Sequence, residues 1–149
     1  MHHLFDEISR KHFPNPPATP AQVADFEARV GWQLDTDLRA FYLHCDGATL
    51  FVPREEDPNY RILSLEEIPQ FTARLRRRDD TPVTAAWFPV VDCQDSDFVL
   101  VDVSKPAPFP LLDAWHETYP LQLRQIARSF SEFLEQALSS NDHLYWLGE

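Results

Sequence analysis

Asp113, His116 and Glu117 are the best local candidates for acid–base chemistry in this chain. An imidazole between carboxylates can act as a general base or hold a metal. Catalysis further requires a nucleophile and a means of stabilising charge, converging in one pocket. The chain offers no Gly-x-Ser-x-Gly elbow and no glycine-rich phosphate loop to go with them. A polar strand end is therefore the favoured reading of this trio. A small hydrolase centred on Asp113 and His116 is the lesser one.

Asp92, Asp95, Asp97 and Asp102 crowd a second short region. Their spacing invites comparison with a calcium loop, but the glycine and the terminal glutamate of that loop are missing. A solvated turn flanked by acids is expected instead. Repulsion among such carboxylates costs stability, and a basic partner would relieve it. Glu55, Glu56, Asp57, Asp92, Asp95 and Asp97 are accordingly the expected partner-binding surface.

Cys45 and Cys93 are too few for a disulfide framework and form no Cys-x-x-Cys pair. They are expected to be unpaired and unmetallated. Met1-His2-His3 places an imidazole third behind an amine, a pattern able to hold copper or nickel, although a frayed terminus is favoured. His12, His44 and His143 are scattered and point to no site. Neither a metal nor a cofactor is expected.

The wider composition bounds the classes available. At 149 residues the chain fits one domain, 1–149, and can bury a core without staples. Its 44% hydrophobic content argues against intrinsic disorder. The first 13 residues carry acids and no apolar run, so neither a signal peptide nor an anchor is expected there. No stretch approaches the roughly 18 apolar residues of a membrane span. A cytoplasmic address with reduced thiols follows as the expectation. The net charge of −11 disfavours direct contact with a phosphate backbone and suits a basic partner. The basic run Arg74, Arg76, Arg77 and Arg78 is followed at once by Asp79 and Asp80, and reads as a solvated helix end.

Several elements must position these residues. A short helix is expected over 4–12, stopped by Pro14-Asn15-Pro16-Pro17. Thr19, Pro20 and Gln22 form a capping box for a helix that ends at Gly31. The next helix starts within Leu34 to Asp37, carries Leu38, Phe41, Tyr42 and Cys45 at helical spacing, and ends at Gly47. Strands are expected at 49–52 and 60–63. Ser64 and Glu67 then open a helix with Leu65, Ile68 and Leu75 inside. The runs 87–93 and 98–103 read as a hairpin, and 111–115 as a further strand. Leu123, Ile126, Ala127, Phe130, Phe133, Leu134, Ala137 and Leu138 trace one apolar stripe, which predicts a helix over 123–138. The tail 144–147 is apolar and is expected to dock. Consecutive strands flanked by helices predict an α+β fold with a mostly antiparallel sheet. Most of Trp87, Phe88, Phe109, Trp115, Tyr145 and Trp146 are expected in the core, with one or two left as interface anchors.

The run Phe26-Glu27-Ala28-Arg29-Val30-Gly31-Trp32-Gln33-Leu34, then Asp37-Leu38-Arg39-Ala40-Phe41-Tyr42 and Asp46-Gly47, resembles the front half of the SUKH superfamily, the Smi/Knr-type domain. Ile62 to Ile68, Phe88-Pro89-Val90-Val91, Phe98 to Asp102 and Ile126 to Leu134 resemble its later segments in the same order. The likeness covers roughly residues 20–138. Gly31, Leu38, Phe41, Tyr42, Asp46, Gly47, Asp102 and Phe130 are the signature positions it marks. Two departures stand out. Asp35-Thr36 occupies the place where leucine is usually followed by proline, and Asp46 replaces the commoner asparagine.

The resemblance implies an α+β domain that binds proteins. Bacterial members are typically immunity proteins that neutralise a cognate toxin, often a nuclease, whereas fungal relatives regulate cell-wall synthesis. The expected function is thus non-catalytic: stoichiometric binding of a basic toxin. A regulatory scaffold module is the alternative, and the lack of long disordered tails favours immunity over it.

Overall fold

The computed structural model describes residues 2–52, 59–78, 84–93, 97–115, 119–140 and 144–147. Its chain opens with helix α1 (His2–Lys11), whose Leu4, Phe5 and Ile8 are buried. Strand β1 (Phe13–Pro14) follows, so the first proline of the expected stop is part of a sheet edge. Helix α2 (Pro20–Val30) begins at Thr19, whose hydroxyl accepts the Gln22 amide while the Gln22 side chain accepts the Thr19 amide. It ends at Gly31 with φ 83°, a left-handed cap that glycine adopts without steric cost.

Helix α3 (Thr36–His44) starts with Asp35 as its N-cap and closes at the buried Cys45. Strand β2 (Ala48–Leu50) is shorter than the expected 49–52, because Phe51 turns to φ 65° and leaves the sheet. Strand β3 (Tyr60–Ile62) precedes helix α4 (Glu67–Arg78). Ser64 and Glu67 exchange amide hydrogen bonds as a capping box before α4.

A seven-stranded antiparallel sheet runs in simple chain order from β1 to β7, an α+β architecture. Strands β4 (Trp87–Asp92) and β5 (Phe98–Asp102) form the expected hairpin, with a register shift between Pro89 and Val91. The hairpin turn at 94–96 lies outside the described residues. Strand β6 (Leu111–Ala114) pairs with β5 and then with β7 (Arg124–Ala127).

Strand β7 corrects the helix expected over 123–138. The apolar stripe is divided: 124–127 pair with β6, and only Phe130–Leu138 forms helix α5. Ser129 makes the boundary, its hydroxyl accepting the Glu132 amide at 3.1 Å as an N-cap. An edge strand with unpaired amides competes for the preceding residues. Helical spacing in Leu123, Ile126 and Ala127 could not reveal that competitor.

The helices take both faces of the sheet. On one face α1, α3 and α5 meet through the rings of Phe5, Phe41 and Phe130, with Phe41 5.0 Å from Phe130. Val99 and Val101 of β5 join this main core, whereas the alternating Leu100 points the other way. Leu100 packs with Leu75 of α4 and Ala114 in a smaller core. Cross-strand partners Thr49, Arg61, Asp92 and Phe98 form one row, which places Arg61 and Asp92 on the α4 face.

Candidate functional site

A groove of about 220 Å³ opens where α2 faces the ends of α3 and β3. Gln22, Asp25 and Arg29 line it from the outer side of α2, and the buried Phe26 lies on the same helix. Asp46 enters from the α3–β2 junction, and Leu65 and Glu66 from the turn before α4. The wall is amphipathic: two apolar side chains, three carboxylates, one guanidinium and one carboxamide.

Asp46 is held there by its backbone and side chain together. Its amide donates to the Pro16 carbonyl at 2.9 Å, and its carbonyl accepts from the Asn15 side chain at 2.8 Å. One carboxylate oxygen accepts the Leu65 amide at 2.8 Å. Burial raises the Asp46 pKa above the ordinary carboxylate value, the Leu65 amide opposes this, and Glu67 and Glu66 add to it. The negative charge on Asp46 is thus disfavoured where it sits.

Gly47 fastens the same joint. With φ 90°, a Cβ there would lie 2.7 Å from the Ile62 carbonyl oxygen, so two backbones approach too closely for any side chain. The fully buried Tyr42 donates its hydroxyl to the Leu63 carbonyl at 2.7 Å. Asp46, Gly47 and Tyr42 together tie the end of α3 to the β3–α4 connection. Leu38, Phe41 and Phe130 are core residues, and Gly31 is the α2 cap. Asp102 is buried, and its carboxylate accepts from the Ser104 amide and hydroxyl in the turn after β5.

The residues expected to face a partner are distributed differently. Glu55, Glu56, Asp57 and Asp95 lie outside the described residues. Asp92 contacts Arg61 at 3.1 Å, and Arg61 also contacts Glu67 at 2.6 Å. The Arg61 guanidinium lies 5.6 Å over the Phe71 ring. Burial works against the Arg61 charge, but Glu67 and then Asp92 outweigh it and raise its pKa. The charge of Asp92 is therefore largely answered within the fold. Asp97 is half-buried, and its carbonyl accepts the Cys93 amide.

Of the acid–base trio, His116 and Glu117 lie outside the described residues. Asp113 is half-buried; burial and then Asp97 raise its pKa, while Arg124 and a hydrogen bond from the Trp146 side chain oppose the shift. Both cysteines are buried, and burial pushes the Cys45 thiol up to about 12. Among the candidate anchors, Trp146 is buried and Trp115 is 43% exposed.

Asp25, Arg29 and Glu66 were not legible as site residues. Each reads in sequence as an ordinary solvated position on a helix or turn. Only the approach of α2 to the β3–α4 connection puts them around Asp46.

An antiparallel meander with helices on both faces and a tyrosine–glycine joint at the end of α3 defines an α+β class of domain. Residues 17–136 match the SMI1 / KNR4 family (SUKH-1), and the chain belongs to that family. Domains of this family bind partner proteins. No curated protein matches the chain. Among the described residues no helix is long and apolar enough to cross a membrane.

Proposed function

We propose that this protein is a non-catalytic immunity protein that neutralises a cognate basic toxin by stoichiometric binding. The observation that carries the reading is the groove at Asp46. A lysine or arginine from the partner would lay its alkyl stem along Phe26 and Leu65 and bring its charge to Asp25, Asp46 and Glu66. That contact would offset the cost of holding Asp46 ionised. Fold-wide charge of −11 would steer such a partner and quicken association, while packing would set the off-rate. Occlusion of the toxin's active site or substrate groove would then block it without turnover.

The test is co-expression with the product of the gene adjoining this protein's own, read as protection of the cell from that product and as a one-to-one complex. Reversing Asp25 and Glu66 to lysine should slow association markedly at low salt and much less at high salt. The pair Asp95→Lys and Asp97→Lys probes the hairpin side of the expected surface in the same assay. A wild-type rate in both double variants at low salt would remove these surfaces from the binding face. Absence of both protection and complex would sink the immunity reading and leave a regulatory scaffold module in its place.

A further inference from the structure

Where the chain leaves β2, Phe51 adopts φ 65°, the one positive φ of a non-glycine residue among those described. A bulky side chain in that left-handed region crowds its own carbonyl, so surrounding contacts must hold it there. The Phe51 ring lies 6.2 Å from that of Tyr60, and its backbone is held by His12, between α1 and β1. Its Nδ1 accepts the Phe51 amide at 2.8 Å, and the two rings meet edge-on with centroids 4.7 Å apart. The imidazole side chain is 4% exposed.

This hydrogen bond exists for one protonation state only. Nδ1 can accept while the imidazole is neutral and its proton sits on Nε2. Protonated, Nδ1–H becomes a donor aimed at another donor, and the Phe51 amide loses its partner. Among the described residues, the charged groups around the imidazole come from α1: Glu7, whose carboxylate is 3.9 Å from Nε2, and Lys11. From the β2 side it meets the Phe51 amide and ring.

We propose that His12 and Phe51 form a pH-operated latch in which the neutral imidazole holds the Phe51 backbone left-handed and protonation lets it go. Released, Phe51 falls back to the extended region and the exit of the chain from β2 changes direction. Burial lowers the His12 pKa, Glu7 opposes this and Lys11 assists it, so the latch is closed at neutral pH and opens on acidification. His12 precedes residues 17–136, which match the family, and Phe51 lies within them, so the latch joins β1 to the matched segment. It is independent of any toxin.

The experiment is NMR on the full chain, titrated from about pH 8 to about pH 5, the range over which histidine changes charge. The nitrogen–nitrogen coupling across the bond from Phe51 N–H to His12 Nδ1 should be present at neutral pH. It should be lost with a midpoint below 6.5, the ordinary histidine value. The Phe51 amide-to-Hα coupling, which reports φ, should change at the same midpoint. In Phe51→Gly the hydrogen bond should still be lost on acidification while φ stays positive, because glycine needs no holding there. His12→Gln, whose amide oxygen accepts but does not titrate, should keep Phe51 left-handed in acid. Absence of the nitrogen–nitrogen coupling at neutral pH would overturn the latch. An unchanged φ in the wild type while His12 titrates would overturn it equally, whatever the Gln variant does.

Discussion

One carboxylate, that of Asp35, ties the start of α3 to Phe109, 74 residues further along the chain: one oxygen accepts the Leu38 amide at 2.9 Å and the other the Phe109 amide at 3.0 Å. The cap of α3 is thus also the anchor of the proline-rich stretch before β6. Phe109 in turn sets its ring 6.0 Å from Trp32, which packs against Phe26 and Phe88. The departure Asp35-Thr36 from the leucine–proline pattern has a structural role in this chain.

Asp35→Ala should destabilise the fold by about 2 kcal/mol, roughly 1 for the lost cap and roughly 1 for the stranded Phe109 amide. Asp35→Asn should lose less, since one oxygen still caps α3 while the amide nitrogen cannot accept from Phe109. Urea denaturation of the three proteins gives the order. Equal midpoints for the wild type and Asp35→Ala would refute the double role.

Two glycines separate backbone strain from crowding. Gly31→Ala should cost about 1 kcal/mol, because φ is 83° but nothing lies within 4 Å of the new Cβ. Gly47→Ala should cost several times more, about 3 kcal/mol, since its Cβ would meet the Ile62 carbonyl and the Leu63–Ser64 peptide as well. Thermal or urea unfolding compares them directly; similar losses would show that the β3 backbone yields.

Asp46→Asn should stabilise the free protein at neutral pH while keeping an oxygen for the Leu65 amide. The folded Asp46 pKa is raised, so the folded state binds its proton more tightly than the unfolded chain does. Stability of the wild type therefore rises as pH falls through that raised value toward the ordinary carboxylate range near about 4. The advantage of the asparagine variant should vanish over the same interval. A pH-independent difference would assign the effect to packing instead of charge. Weaker binding by this more stable variant would connect the carboxylate to the partner.

Phe130→Ala should cost about 3–5 kcal/mol, the range for emptying a core aromatic site. Phe130 is fully buried at the start of α5, against Phe41 and Phe133. Chemical denaturation measures it; a loss below about 1 kcal/mol would put the ring in solvent and break the layer arrangement.

The elements legible in the sequence are those whose signals are local. Thr19 with Gln22, Ser64 with Glu67 and the left-handed Gly31 each satisfy or end a helix within a few residues of themselves, so short spacing was enough to find them. The β4–β5 hairpin is local for the same reason. Asp46 and Gly47 were marked by family likeness, and Phe41, Tyr42 and Phe130 by apolar spacing as well.

Tertiary structure alone decided the rest. Residues 124–127 fit a helical stripe as well as a strand, and the free edge of β6 settled the choice by offering hydrogen bonds that no local pattern encodes. Asp92 resembled its neighbouring acids until Arg61 of β3 was brought beside it. His12 carried no signal in the sequence, because its chemistry depends on an amide 39 residues away. Asp25, Asp46 and Glu66 share a groove only because α2 packs over the joint made by Gly47. Helix caps and hairpins are contacts between near neighbours, which sequence spacing specifies. Grooves, ion pairs and latches are contacts between distant segments, and packing brings those segments together.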